Sequence, residues 1–248
     1  MMHWHKRSNG LERVGMVRWL IYTCIVMIVG TRCATANSSS QMELATEEVT
    51  AVEPELWKDV VVDSNMSLAD ALRKEAPCDI KAKQRMIDLF YYSFDGKIHK
   101  GQLVIDKQLV DDIREVFDVA FETKFPIMSV IPIAHEMFYK DGKWNEDDES
   151  MMANNTSAFN YRVITGGTKL SKHAYGYAID INPAINPYIK GDVVLPEGSV
   201  YDPNRPGTLT SDCLVVKTFL RLGWTWGGNW QSLKDYQHFQ KDPALRLD

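Results

Sequence analysis

His173 and Asp180 stand seven residues apart in Ser-Lys-His-Ala-Tyr-Gly-Tyr-Ala-Ile-Asp (171–180), and His238 follows in Asp-Tyr-Gln-His-Phe (235–239). Two imidazoles and one carboxylate are the donor types of a catalytic zinc site, which takes three protein ligands and keeps its fourth position for water. Such an ion lowers the pKa of its water towards about 7 and polarises a carbonyl under attack. Hydrolysis by that water needs a carboxylate to remove the proton, and Asp235 is the candidate. Spacing alone proposes this set without deciding it, because a His and an Asp at this separation are more often surface or hydrogen-bonding residues.

The elements around these residues must bring them together. A strand over 177–182 puts Tyr177, Ile179 and Ile181 on one face and Ala178, Asp180 and Asn182 on the other, so that Asp180 can face a cleft while the isoleucines anchor the core. Gly176 and Ala178 keep bulk away from a chain that folds close to an ion. Asp235 and His238 are three apart and would point to opposite faces of one regular strand. The set therefore requires Asp235 on a turn before a final strand at 236–240, a turn that Trp224, Trp226, Gly227, Gly228 and Trp230 make plausible.

Upstream, residues 86–94 are rich in aromatic and branched side chains and predict a strand. Asp95-Gly96 is a turn signal, and Ile98–Ile105 returns as a second strand. Leu109, Val110, Ile113, Val116, Phe117, Ala120 and Phe121 then fall at helical spacing, with Asp111 and Asp112 in the first turn, where carboxylates suit the helix dipole. Ile127–Ile133 predicts a buried strand, 140–157 a polar surface loop, and 211–222 a helix capped by Thr210 or Ser211 and stopped by Gly223. His135 is expected to be a loop or edge residue and His99 to be exposed on the hairpin. Strands and helices do not alternate regularly, which favours α+β with an antiparallel sheet.

The N-terminus carries Lys6, Arg7, Arg13 and Arg18, then an uncharged run from Trp19 to Gly30, then Thr-Arg-Cys-Ala-Thr-Ala ending at Ala36. A basic start, a short apolar middle and a small-x-small end mark a signal peptide, with an uncleaved anchor as the alternative. Residues 37–56 predict a flexible tether, and 57–248 the catalytic domain. The chain is thus expected at the cell envelope, meeting a membrane only through the N-terminal segment if it is uncleaved, and acting as a monomer. Beyond that segment only Cys78 and Cys213 remain, which an exported compartment would allow to pair and which could equally be two separate buried thiols. The net charge of -5 argues against nucleic-acid partners, which require a basic footprint.

The blocks around these residues resemble the D-alanyl-D-alanine carboxypeptidase family of zinc peptidases, in its VanY-like branch, with VanX-type enzymes and L-alanyl-D-glutamate endopeptidases as relatives. The resemblance rests on Ser171-x-His173-x-x-Gly176-x-Ala178-x-Asp180 and Asp235-x-x-His238-Phe239. It extends to Asn155-Thr156-Ser157-Ala158-Phe159-Asn160-Tyr161-Arg162, to Asn182-Pro183 and Asn186-Pro187-Tyr188, and to Gly223-Trp224-x-Trp226-Gly227-Gly228, and covers about residues 85–242. It implies one zinc ion on His173, Asp180 and His238, a general base at Asp235, and an Arg162 that binds the substrate carbonyl and stabilises the oxyanion. Ser171, Tyr175 and Trp226 would support the site or touch substrate, although core and turn packing explains the tryptophans as well. The implied fold is a small antiparallel sheet flanked by helices, of the hedgehog/DD-peptidase-like zinc peptidase type. The implied substrates are peptidoglycan stem peptides, cut as a D-Ala-D-Ala carboxypeptidase or as an LD-endopeptidase. The contrasting expectation is a zinc-containing wall-binding module without catalysis, as the hedgehog domain illustrates for this fold.

Overall fold

The computed structural model describes residues 57–72, 75–140, 143–144, 146–164 and 167–243, all within the compact unit that spans Thr50–Asp248. The expected signal segment and tether lie outside the described residues. Among the described residues, no helix is long and apolar enough to cross a membrane.

In chain order the strands are β1 (Val61–Val62), β2 (Gln84–Tyr92), β3 (Ile98–Asp106), β4 (Ser129–Val130), β5 (Tyr139–Lys140), β6 (Lys143–Trp144), β7 (Asn155–Thr156), β8 (Ala178–Asp180), β9 (Tyr188–Lys190), β10 (Val193–Leu195), β11 (Thr225–Trp226), β12 (Lys234–Asp235) and β13 (His238–Gln240). The helices are α1 (Leu68–Ala71), α2 (Cys78–Lys81), α3 (Val110–Glu122), α4 (Glu146–Met152) and α5 (Leu214–Arg221). The fold is α+β, as expected, but its strands form several small sheets rather than one.

The hairpin of β2 and β3 is the longest pairing, with Tyr92 opposite Ile98 and Gln84 opposite Asp106. Its turn is at Asp95-Gly96, where Asp95 Oδ1 accepts from Lys97 N at 2.9 Å. Ile87, Leu89 and Tyr91 alternate into the core, while Arg85, Asp88 and Phe90 are exposed, the period-2 pattern of a sheet with one wet face. Helix α3 buries Ile113, Val116, Phe117 and Ala120 in the same apolar cluster. Asp112, read as a dipole partner, also accepts from Trp224 Nε1 at 2.8 Å and from Lys241 Nζ at 2.6 Å, so it ties α3 to the chain around the site.

Several expectations are corrected. The 127–133 segment pairs over Ser129–Val130 only, in parallel with β7; Ile127, Ile131 and Ile133 are buried outside any named strand. The 140–157 segment is not a featureless loop: it holds α4 and ends in β7, where Asn155 and Thr156 are fully buried. Asn155 fixes β4 by accepting from Ser129 Oγ and Ile131 N and donating to Ile131 O. Helix α5 begins after Cys213, not at Ser211, and makes no side-chain cap bond. His99 is not free on the hairpin, since its Nδ1 lies 2.8 Å from Asp63 Oδ1 and its Nε2 3.3 Å from Asp95 Oδ2. Cys78 and Cys213 are both free thiols, and Cys78 is exposed.

Candidate metal centre

His173 sits on a 3-10 turn, Lys172–Tyr175, capped by the Ser171 hydroxyl, which accepts from His173 N at 3.3 Å. Gly176 ends this turn in the left-handed region at φ 70. A Cβ there would lie 2.2 Å from Gln84 Oε1 and 2.7 Å from Asp106 N. Gly176 is therefore needed to dock the turn against the end of the hairpin, not to keep bulk from an ion. Chain direction then reverses into β8. Ile179 and Ile181 are fully buried, and Asp180 is half-buried. Asn182 does not share the cleft with Asp180: at φ 45 and fully buried, it accepts from Met128 N and donates to Pro126 O and Gly207 O.

Strand β13 pairs antiparallel to β8 with His238 opposite Asp180. On β8's other side Ser157 N donates to Asp180 O and Asp180 N to Ser157 O, which seats the 155–162 block beside the ligands. The result brings His173, Asp180 and His238 into one group, with a ligand atom from each within 4.8 Å of the others.

The hydrogen bonds decide which atoms face inward. His173 Nδ1 is 2.7 Å from Ala158 O, and a carbonyl can only accept, so Nδ1 carries the proton and Nε2 presents its lone pair. His238 Nε2 donates to Gln240 Oε1 at 3.1 Å, which leaves Nδ1 inward. His173 Nε2 is then 3.2 Å from Asp180 Oδ2 and 3.2 Å from His238 Nδ1, and His238 Nδ1 is 2.9 Å from Asp180 Oδ1. Three electron-rich atoms converge in a buried place and need a proton or a cation between them. As side chains alone they settle on a proton. Burial opposes charge on His238, yet the hydrogen bond and charge of Asp180 outweigh it and push that imidazole up to about 9. Burial likewise opposes ionisation of Asp180, but the two histidines hold its carboxyl far below the usual carboxylate range. A divalent cation would neutralise the same three atoms, and imidazoles whose outer nitrogens are anchored to carbonyl oxygens are its usual ligands. The residues fit zinc.

Asp235 is placed differently from expectation. It lies not on a turn but on β12, opposite Tyr188 of β9, in a different sheet from His238. Tyr236 and Gln237 link the two, with Tyr236 N donating to Pro187 O and Ile181 N donating to Gln237 O. Changing sheets removes the two-faces conflict. Asp235 Oδ1 is buried with no hydrogen-bond partner. Burial is the main cause that pushes this carboxyl up to about 6, partly offset by the charge of His238. A carboxyl so tuned can both take and return a proton near neutrality.

Arg162 stands on the same block, with Ser171 N donating to its carbonyl at 3.0 Å. Tyr175 stacks on Tyr177 at 5.6 Å and lines a pocket of about 230 Å³ with Tyr161 and Leu170; none of the three ligands lines it. Trp226 is buried in the core, where Nε1 donates to Tyr236 O at 2.8 Å. It braces the link between Asp235 and His238 and is buried rather than flooring a groove. The half-buried Trp230 is the tryptophan beside the centre, its ring 5.5 Å from that of His238. Sequence reasoning missed Gln240, although it shares a strand face with His238 two residues away.

A family model described as D-alanyl-D-alanine carboxypeptidase matches residues 165–241, the stretch that carries all three ligands and Asp235. This segment is similar to that family of peptidases. The chain is also similar to the peptidoglycan L-alanyl-D-glutamate endopeptidase CwlK of Bacillus subtilis (strain 168), at 36% identity over 101 residues. That alignment covers 40% of this chain and 56% of the relative, so the chain spans about half the length of the curated relative it matches. No solved structure matches the chain.

Proposed function

We propose that the chain is a zinc-dependent peptidase of bacterial peptidoglycan stem peptides, of the carboxypeptidase or LD-endopeptidase type. The observation that carries this is the convergence of His173 Nε2, Asp180 and His238 Nδ1, beside a carboxylate that feels the charge of all three and whose buried oxygen has no partner. A bound zinc ion supplies Lewis acidity to the water and the scissile carbonyl. Asp235 removes a proton from the attacking water and later returns it to the leaving amine. Arg162, a fixed cation, holds the developing oxyanion. Ala158 O and Gln240 keep the two imidazoles turned inward, and Trp230 walls the centre on the His238 side. The family match and the relative's description as a peptidoglycan endopeptidase support the substrate class. The basic, apolar and small-residue pattern of 1–36 supports a place at the cell envelope, where that substrate lies.

The test is incubation of the full chain, loaded with zinc, with purified peptidoglycan and mass spectrometry of what is released. Free D-Ala identifies a carboxypeptidase, and freed stem peptides an endopeptidase. Zinc-loaded protein that binds the wall and releases neither would overturn the proposal in favour of a binding module.

A further inference from the structure

Helix α4 brings a carboxylate to Arg162. Asp147 Oδ2 lies 3.0 Å from Arg162 Nη2, and Asp147 Oδ1 accepts from Asn160 Nδ2 at 3.0 Å. The two charged side chains are only 28% and 30% exposed, so the pair is partly shielded from solvent screening. Arg162 Nη1 donates to Val163 O at 3.3 Å. Its Nε is buried without an acceptor. The partner residues are themselves anchored: Asn160 N donates to His173 O at 3.0 Å, and α4 is held by Asn155 Nδ2 donating to the buried Ser150 Oγ at 3.0 Å.

An arginine side chain has many rotamers, and an oxyanion donor works only when held before the charge develops. Here a carboxylate and a carbonyl take the two terminal nitrogens and fix the guanidinium plane. The remaining Nε–H is buried and has no partner in the protein, so the guanidinium keeps one unspent donor. The acidic segment around α4, which composition would assign to a solvated face, thus contributes one carboxylate to the site.

We propose that Asp147 is a positioning residue. It acts through Arg162, locking the guanidinium in the one orientation from which it would meet the carbonyl oxygen of a bound peptide. The proposal rests on the role given to Arg162 under Proposed function. The Asn160 bond makes Asp147 a joint between α4 and the segment hydrogen-bonded to the His173 turn, so helix, arginine and metal ligand are set by one side chain.

The experiment is a double-mutant cycle on the zinc-loaded full chain, with kcat and KM for stem-peptide hydrolysis, zinc content and thermal unfolding read for each protein. D147N keeps the shape and loses the charge. It should lower kcat about tenfold with zinc content intact, and D147E should recover part of the loss. In an R162Q background D147N should change kcat by no more than about twofold, because there is no guanidinium left to position. A full tenfold loss in that background would overturn the proposal, since Asp147 would then act through the fold of α4. An unimpaired D147N beside an impaired R162Q would overturn it while leaving the role of Arg162 intact. An unimpaired R162Q would remove the Arg162 role itself and the proposal with it.

Discussion

Replacing Gly227 by alanine should disable the centre without touching a ligand. A Cβ on Gly227 would lie 2.4 Å from Asp235 O and 2.7 Å from Asp235 Cβ. Non-bonded carbons settle at about 3.5–4.0 Å, so the two chains must part by roughly 1 Å. Gly227 opens a 3-10 turn after β11, and Asp235 lies on the two-residue strand β12, so a shift of this short strand carries its carboxylate with it. A misplacement of about 1 Å costs on the order of 100-fold in rate, which is about 2.7 kcal/mol on the barrier. The overpacking itself costs about 1–3 kcal/mol of stability, small enough for the protein to stay folded. His173, Asp180 and His238 stand on other elements, so zinc content should not change. The assay compares kcat on stem peptides, bound zinc and the melting temperature of wild type, Gly227→Ala and Gly223→Ala. Gly223 has φ 84 and nothing within 4 Å of an added Cβ; its substitution should cost about 1–2 kcal/mol of folding and leave kcat alone. A folded, zinc-loaded Gly227→Ala protein with wild-type kcat would refute the placement of Asp235 as rate-determining.

Three further outcomes follow from the same geometry. Gln240→Leu leaves His238 Nε2 without its acceptor and should weaken zinc binding about 10–100-fold; unchanged affinity in a chelator competition would remove Gln240 from the site. Gly176→Ala combines a left-handed backbone with contacts of 2.2 and 2.7 Å, and should destabilise the fold by about 2–5 kcal/mol; a loss under about 1 kcal/mol in denaturant unfolding would mean the turn docks otherwise. Removing the metal with a chelator should abolish hydrolysis and lower the melting temperature, since an ion at about 1,000 times its Kd stabilises by roughly 4 kcal/mol; a melting curve indifferent to zinc would count against the ligand set.

What could be read in advance was whatever rests on short-range periodicity. The β2–β3 hairpin, its Asp95-Gly96 turn and the stripe of α3 were legible because alternation and 3.6-residue spacing are written along one stretch of chain. The convergence of His173, Asp180 and His238 followed from the resemblance of several spaced blocks, not from their spacing. What stayed hidden depends on partners far away in sequence. Asp235 could not be put on a strand of its own, because β12 exists only by pairing with β9. Local sequence ties Gly176 to the ion, because nothing local reveals that Gln84 and Asp106 press against it. Alternation puts Asn182 on the cleft side, but its left-handed backbone breaks the alternation and turns the side chain into a three-way buried tie. The acidic run that includes Asp147 reads as a solvated surface until the fold sets it against Arg162.

The two imidazoles lie 65 residues apart in the chain, and both cysteines among the described residues are free. An ion held by both histidines therefore closes a long loop, as a disulfide would. On the chain-entropy account a closure of that length restricts the unfolded chain by about 4 kcal/mol at 25 °C. Unlike a covalent staple, this one can be withdrawn and replaced. The supply of zinc would then set how much of the protein is folded, and abundance as well as turnover would follow the metal.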